Sequence, residues 1–269
     1  MVHASSVSRF GRLLRSWRRT RRWSQLDLAV ECDVSQRHIS FLESGRADPS
    51  RAMINRLAEG LELPLRERNQ LYLAAGFAAR FEESALDDTL MQPIRGALEQ
   101  MLAHHEPFPA IVLNRHWDVV RKNDAAAALF SAAIGERPHW IARALDGQLN
   151  LFELVFHPAG IQPLIRNWDE VGPALLTRAR REVGQHGSET LSRFLSELPD
   201  HQPELDASEH QSALLPILPL QLVLGEHTLS FFSVISTFGT PLDITTDELR
   251  VECFFPNDAP TEAFFQQHA

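Results

Sequence analysis

The segment from Ser24 to Glu43 limits the possible folds of this chain of 269 residues more than any other segment. Leu28 and Ala29 place an apolar face on a first short helix. Ile39 and Leu42, three residues apart, do the same for a second helix. The small side chain of Ala29 lets the two helices cross closely. The pattern predicts a helix-turn-helix, and the alternative is an ordinary helical hairpin in an all-α domain.

Residues that favour helix ends and turns frame these two helices. Ser24 and Ser35 are good N-caps, and Gly45 after the second helix is a typical stop. Asp33 occupies the turn position that commonly needs a left-handed backbone, which Asp tolerates better than most residues. We therefore predict that the turn lies around Asp33.

Three more helices are predicted around this pair. An apolar stripe between Phe10 and Trp17 marks one before it, and Ser50 caps another after it. Pro64 opens a fifth helix that ends at Gly76. We therefore predict a compact all-α domain at residues 1–80.

Charge is distributed unevenly along the chain. Residues 1–80 hold 14 Arg, no Lys and 8 acidic residues, a net charge of +6, whereas the remaining residues hold 12 Lys and Arg against 27 acidic residues, a net of −15. This asymmetry predicts a basic DNA-binding domain joined to an acidic second domain. The arginines that we expect at phosphates, with a solvated charged face as the alternative, are Arg12, Arg15, Arg18, Arg19, Arg21 and Arg22.

A motif in this basic domain carries a family likeness. It reads Ser-Gln-x-x-Leu-Ala, then Val-Ser, then Ile-Ser-x-Leu-Glu-x-Gly-Arg, then Pro-Ser, within Ser24–Gly76. The segment resembles the lambda-repressor-like regulators of the xenobiotic response element type. That resemblance implies that Gln25 binds a phosphate and buttresses the next helix, and that Gln36, Arg37 and Ser40 read bases, since Gln suits adenine and Arg suits guanine. The further candidates for DNA contact are Ser35, His38, Phe41 and, on the DNA backbone, Arg46, although His38 equally fits a surface histidine.

After a predicted linker at 81–92, residues 93–269 form a second domain. Alternating or continuous apolar runs predict strands at 110–113, 117–120, 218–224, 228–235 and 249–255. Helical periodicity predicts helices at 93–105, 125–130, 150–156, 167–183 and 191–198, with Arg178 on the outer side of the helix at 167–183. Two strands, several helices and three more strands form the element order of a PAS-like domain, a five-stranded antiparallel sheet with helices over one face. The predicted fold class is therefore α+β in two domains.

Scattered residues of the second domain carry another likeness. They are Pro109-Ala110, Trp117–Val120, Asn123, Asn150-Leu151, Phe156-His157-Pro158, Asn167-Trp168, Ser230–Ser233, Thr237–Asp243 and Phe254-Phe255-Pro256. In this order they resemble the ligand-binding domain of the MmyB-like regulators. The resemblance implies that the domain binds a fatty acid or similar lipid-like molecule as an effector, and we expect no other cofactor.

A long-chain ligand needs an apolar tunnel and one polar end. Arg95 is a candidate for bidentate binding of a carboxylate. The other candidates for the ligand site are Asn123, His157, Asn167 and Thr237, with the aromatic residues Phe156, Trp168, Phe232 and Phe238. Five more aromatic residues support such a pocket: Phe130, Phe152, Phe231, Phe254 and Phe255. The alternatives are that these aromatic residues form a core and that Asn123 and Asn167 cap helices.

Several function classes lack support in the sequence. There is no HExxH, no pair of closely spaced cysteines, no Gly-x-Ser-x-Gly and no phosphate-binding loop, so we expect neither a metal site nor an enzyme. Cys32 and Cys253 lie in different domains, which argues against a structural disulfide. No stretch approaches the ~20 apolar residues of a membrane span, so we expect a cytoplasmic protein with no membrane partner.

Together these patterns predict a transcription regulator that senses a small hydrophobic ligand. We expect it to bind a near-palindromic site on double-stranded DNA as a homodimer, because one small domain buries little DNA surface. The alternative is a ligand-independent regulator whose second domain serves only dimerisation or protein docking.

Overall fold

The computed structural model describes residues 8–135, 149–157, 160–186, 195–196 and 217–267. Contacts divide the chain into two units, which we call the head and the body. The head is Met1–Ser84 together with Thr240–Asp247, and the body is Ala85–Gly239 together with Glu248–Ala269. Most of the helix predicted at 191–198 lies outside the described residues.

The head contains the predicted helices. They are α1 (Arg9–Thr20), α2 (Gln25–Glu31), α3 (Gln36–Ser44), α4 (Arg51–Gly60) and α5 (Leu65–Ala74). Leu28, Ile39 and Leu42 are completely buried and Ala29 is nearly so, in one core with Phe10, Ile54 and Leu57. The predicted helix-turn-helix is therefore confirmed as α2 and α3.

Local capping explains where α2 and α3 begin. The Ser24 hydroxyl accepts a hydrogen bond from the Asp27 backbone N–H at 3.1 Å, and the Asp27 carboxylate accepts one from the Ser24 N–H at 2.7 Å. Ser35 caps α3 in the same way, accepting from the His38 N–H at 3.2 Å. Asp33 has φ 49°, so the turn adopts the left-handed backbone that the sequence predicts.

The body is built on one antiparallel sheet with the strand order β2-β1-β5-β4-β3. Its strands are β1 (Ala110–Leu113), β2 (Val119–Lys122), β3 (Leu220–Leu224), β4 (His227–Thr237) and β5 (Arg250–Pro256). Its helices are α6 (Gln92–His105), α7 (Asp124–Ile134), α8 (Leu151–Phe156), α9 (Trp168–His186) and α11 (Ala259–Gln267), with short 3-10 helices at Thr89–Met91 and Gln162–Leu164. Helix α10 (Ile244–Glu248) comes before β5, and all but its last residue belong to the head. The predicted α+β fold is confirmed, while α10 and α11 were not predicted.

Helices cover both faces of the sheet, whereas the prediction has them over one face. Leu98 and Leu102 of α6 pack with Ala110 and Val112, and the main core, which includes Ile111, lies on the opposite side. Successive strand residues point to opposite faces, and all four residues of β1 are buried. Because β1 is a central strand with apolar side chains on both faces of the sheet, other elements must cover both faces.

A short segment between β4 and β5 belongs to the head. We call this segment, Thr240–Asp247, the strap. The Ile244 N–H donates to the Glu82 carbonyl at 2.9 Å, the Ser84 N–H donates to Asp243 Oδ2 at 2.9 Å, and Thr245 Oγ1 donates to the Ser84 carbonyl at 2.7 Å. The predicted second domain includes these residues, but their contacts place them in the head.

Candidate DNA interface and candidate ligand site

The exposed side of α3 carries the residues predicted to read bases. Gln36 and Arg37 are exposed in its first turn, and Ser40 is half-buried one turn later. The Arg37 guanidinium carbon lies 5.2 Å from the centre of the Phe41 ring, and that of Arg46 lies 5.9 Å from it. Such cation–π contacts restrict both arginines. The geometry brings Arg37, Phe41 and Arg46 together on one side of α3, and their contact with DNA stays a prediction.

A buried carboxylate ties α3 to the two helices before it. Glu43 is completely buried and accepts hydrogen bonds from Arg18 Nε at 2.6 Å, Arg18 Nη2 at 3.0 Å and Gln25 Nε2 at 2.8 Å. Burial acts to raise the pKa of Glu43, but the hydrogen bonds from Arg18 and Gln25 and the Arg18 charge outweigh it, so the pKa lies below its usual value. Gln25 thus buttresses α3 as predicted, and its phosphate contact stays a prediction.

Three of the arginines predicted to meet phosphates make contacts within the head, among them Arg15, whose Nε donates to Glu43 Oε2 at 3.2 Å. Arg18 is only 9% exposed because it pairs with Glu43 and also donates to the Trp23 carbonyl at 2.7 Å. Arg21 donates to the Leu61 carbonyl at 2.6 Å and 3.1 Å, at the C-terminal end of α4, where carbonyl groups lack helical partners. Burial makes the prediction wrong for Arg18, whereas phosphate contact by the half-exposed Arg15 and Arg21 stays a prediction. Arg12, Arg19 and Arg22 are exposed.

The body encloses an apolar cavity of about 90 Å³ between the sheet and helices α7, α8 and α9. Five aromatic side chains form much of its wall: Trp117, Phe130, Phe152, Phe231 and Phe254. Aliphatic residues complete it, among them Leu129, Val155, Leu175 and Leu222. The predicted aromatic cavity is therefore present, and four of the aromatic residues that the sequence singles out line it, but Phe156, Trp168, Phe232 and Phe238, the aromatic candidates for the ligand site, are not among the lining residues.

Two charged residues also line this cavity, Arg178 from α9 and Glu252 from β5. Arg178 Nη1 lies 3.5 Å from Glu252 Oε1, and the guanidinium carbon lies 4.2 Å from the Trp117 ring centre. The helical pattern indicated that Arg178 faces outward, which is wrong. It follows Leu175 by three residues and therefore shares its side of the helix.

The polar residues predicted for the ligand site bind backbone groups. Arg95 Nη1 donates to the carbonyl groups of residues 86 and 88, at 2.8 Å and 2.6 Å. Asn123 Oδ1 caps α7 by accepting from the Ala126 N–H at 3.0 Å, and Asn167 Nδ2 donates to the Pro219 carbonyl at 2.8 Å. None of the three is among the cavity-lining residues that the structure describes. The capping alternative thus describes Asn123 correctly.

The other predicted ligand residues also lie away from the cavity wall. Phe156 and Trp168 pack edge to face, with ring centres 5.2 Å apart. Phe232 stacks on Phe255 with ring centres 5.5 Å apart. It follows Phe231, which lines the cavity, and therefore points to the opposite face of the sheet. Of the remaining three residues, His157 and Thr237 are exposed. Phe238 packs against the small core beside α6. The structure therefore does not bring the predicted set together.

Comparison with protein families identifies the class of the chain. Residues 94–267 match the model of the MmyB-like transcription regulator ligand binding domain. The chain belongs to the MmyB-like transcription regulators. Residues 9–71 of this MmyB-like regulator match a helix-turn-helix domain, which spans α1 to α4 and most of α5. Among curated proteins, no sequence matches the chain.

The match confirms the resemblance of the second domain to the ligand-binding domain of the MmyB-like regulators. The MmyB-like regulator is a DNA-binding transcription regulator with a ligand-binding domain. In the part of the chain that the structure describes, no helix has the length and apolar character to cross a membrane. The same residues contain no group of three His, Cys, Asp or Glu side chains that could hold a metal ion.

Proposed function

We propose that this MmyB-like regulator binds a near-palindromic operator as a homodimer and responds to a small hydrophobic ligand of the fatty-acid type in the body cavity. The observation that carries the proposal is the enclosed apolar cavity with two charged side chains in its wall. An apolar wall with few polar groups favours a ligand with a hydrocarbon part and one polar end. The regulator architecture provides an output on DNA.

The size of the cavity supports a ligand-dependent change of shape. A volume of about 90 Å³ is smaller than the cavity of about 150 Å³ that holds benzene. Pockets for drug-sized ligands measure about 300–1,000 Å³. A long-chain ligand therefore fits only when the walls move apart. Such a ligand binds the expanded body more tightly than the closed one, and this difference in affinity is what signalling requires.

The strap offers a covalent route for this change. β4 and β5 contribute Phe231, Glu252 and Phe254 to the cavity wall, and the strap lies in the connection between these two strands. The strap itself makes its hydrogen bonds with residues of the head, such as Glu82 and Ser84. Movement of the two strands would thus be transmitted along the chain to the head.

Native mass spectrometry of the full chain, purified without added lipid and then titrated with decanoic acid, tests the ligand half of the proposal. We expect one ligand per protomer, and we expect Leu129→Trp, which fills the cavity, to abolish binding. Leu90→Trp changes a residue that is 73% exposed and serves as the control. Operator affinity, measured on DNA selected from a random library, should depend on the ligand in the wild type but not in Leu129→Trp.

The alternative function makes different predictions in the same experiments. A ligand-independent regulator, whose body serves dimerisation or docking, would bind no stoichiometric ligand. Fatty acids would then change neither its thermal stability nor its operator affinity. A footprint over a single half-site, with a linear dependence on protein concentration, would contradict the homodimer.

A further inference from the structure

One carboxylate oxygen in the cavity wall receives no hydrogen bond from the part of the chain that the structure describes. Glu252 is 4% exposed, it lines the cavity, and its Oε2 atom is buried with no partner among the described residues. A buried acceptor without a donor is costly, and more so when the group is charged. A ligand that donates a hydrogen bond to Glu252 Oε2 would remove this cost.

A hydrogen-bond donor lies beside the same carboxylate group. Arg178 lines the same cavity, and its Nη1 atom is 3.5 Å from the other oxygen of Glu252. A guanidinium group only donates hydrogen bonds and an ionised carboxylate only accepts them. The wall therefore presents a donor next to an acceptor. A ligand group that can both donate and accept a hydrogen bond is complementary to this pair. Primary amides, alcohols and protonated carboxylic acids are such groups.

The charges at this position also favour a neutral group. Among the described residues that line the cavity, Arg178 and Glu252 provide one positive and one negative charge. Outside the wall, Arg250 lies 6.0 Å from the Trp117 ring centre, and Arg115 pairs with Glu248 at 3.3 Å. An ionised carboxylate in the cavity would face Glu252 directly and would add a buried negative charge to a balanced pair.

We infer that the polar end of the ligand is uncharged and carries a hydrogen-bond donor beside an acceptor. The donor binds Glu252 Oε2, and the acceptor receives a hydrogen bond from Arg178. A fatty acid would bind in its protonated form, and a fatty amide or alcohol would bind in the same way. This inference rests on the proposed function, because it assumes that the cavity holds a hydrophobic ligand.

Calorimetric titration of the full chain with three ligands of equal chain length tests the inference. The ligands are decanamide, decanoate at neutral pH and methyl decanoate, which accepts hydrogen bonds but donates none. We expect decanamide to bind at least about tenfold more tightly than either of the others, as the loss of one hydrogen bond to a charged partner implies.

Glu252→Gln keeps the shape of the side chain and replaces one acceptor oxygen with an N–H donor. We expect this variant to lose the preference for decanamide and to bind decanoate more tightly than the wild type does. Glu226→Gln, at an exposed turn residue between β3 and β4, removes the same charge and should keep the wild-type order. Circular dichroism verifies that both variants are folded.

Two results would overturn the inference, and only one of them would also overturn the proposed function. If decanoate binds most tightly to the wild type and Glu252→Gln leaves the order unchanged, Arg178 holds an ionised carboxylate; the inference then fails while the proposed function stands. If none of the three ligands binds, both fail.

Discussion

The carboxylate of Asp247 accepts a hydrogen bond at 2.9 Å from the backbone N–H of Leu65, which lies 182 positions earlier in the chain. Leu65 is the first residue of α5, and Pro64 before it has no side-chain group that can cap the helix. A negative charge at this end also interacts favourably with the helix dipole. A residue of the strap therefore caps a helix of the head.

We predict that Asp247→Ala destabilises the head by about 1 kcal/mol, the usual cost of losing an N-cap. Hydrogen exchange followed by mass spectrometry should show faster exchange at the start of α5 and unchanged exchange in β1 of the body. Asp87→Ala, at an exposed position of the body, is the control. Unchanged exchange at Leu65 would show that this hydrogen bond does not stabilise α5.

The elements that the sequence predicts well depend on neighbouring residues. Ser24, Ser35 and Ser50 each cap a helix by accepting from a backbone N–H three residues later. Asp33 adopts a positive φ at the turn. Such signals are local, so the sequence contains them directly. The cap on α5 escaped prediction because its acceptor comes from a distant part of the chain.

The charged residues that line the cavity escaped prediction because polar residues near aromatic ones have competing uses. Asn123 and Asn167 satisfy backbone groups, as buried amides commonly do. The two charged residues that do line the cavity left weaker signals. Arg178 shares a helical face with Leu175, and Glu252 is the one charged residue of the run Val251–Phe254. Only the tertiary fold brings Arg178 of α9 and Glu252 of β5 together.

Two glycine-to-alanine changes should have opposite effects on stability. A Cβ atom on Gly11 would lie 2.5 Å from the Glu43 carbonyl oxygen, so Gly11→Ala must push α1 away from α3. We expect this to lower the free energy of unfolding by about 1–3 kcal/mol. Gly96, inside α6, has nothing within 4 Å of its added Cβ, and Gly96→Ala should raise stability by about 0.5–1 kcal/mol. Urea denaturation measures both, and equal effects would refute the role of Gly11 in the close approach.

Stability should also depend on the ionisation of Glu43. The pKa of Glu43 is lowered in the folded head. The ionised carboxylate therefore makes its full contribution to the free energy of unfolding above the usual Glu pKa of about 4.3. This contribution is lost as the pH falls through the pKa that Glu43 has in the folded head. At neutral pH, Glu43→Gln leaves Arg18 buried without its counter-charge and should cost about 3–5 kcal/mol. This difference from the wild type should shrink below about pH 4.3. Urea unfolding of both proteins across that pH range measures the difference, and Glu31→Gln, at an exposed position, is the control. A stability difference between Glu43→Gln and the wild type that does not vary with pH would contradict the role of the ionised Glu43.

Arginines on α3 and α1 should contribute to DNA binding in different ways. Arg37 is exposed at the start of α3, where Phe41 restricts its guanidinium, so Arg37→Ala should relax the preference at one base pair by about 1–3 kcal/mol. Arg19 is exposed near the end of α1, and Arg19→Ala should weaken binding to all sequences alike and reduce the salt dependence. Selection from random DNA, followed by affinity measurements at several salt concentrations, separates the two effects. The reverse result, with altered specificity in Arg19→Ala and a uniform loss in Arg37→Ala, would remove α3 as the base-reading helix.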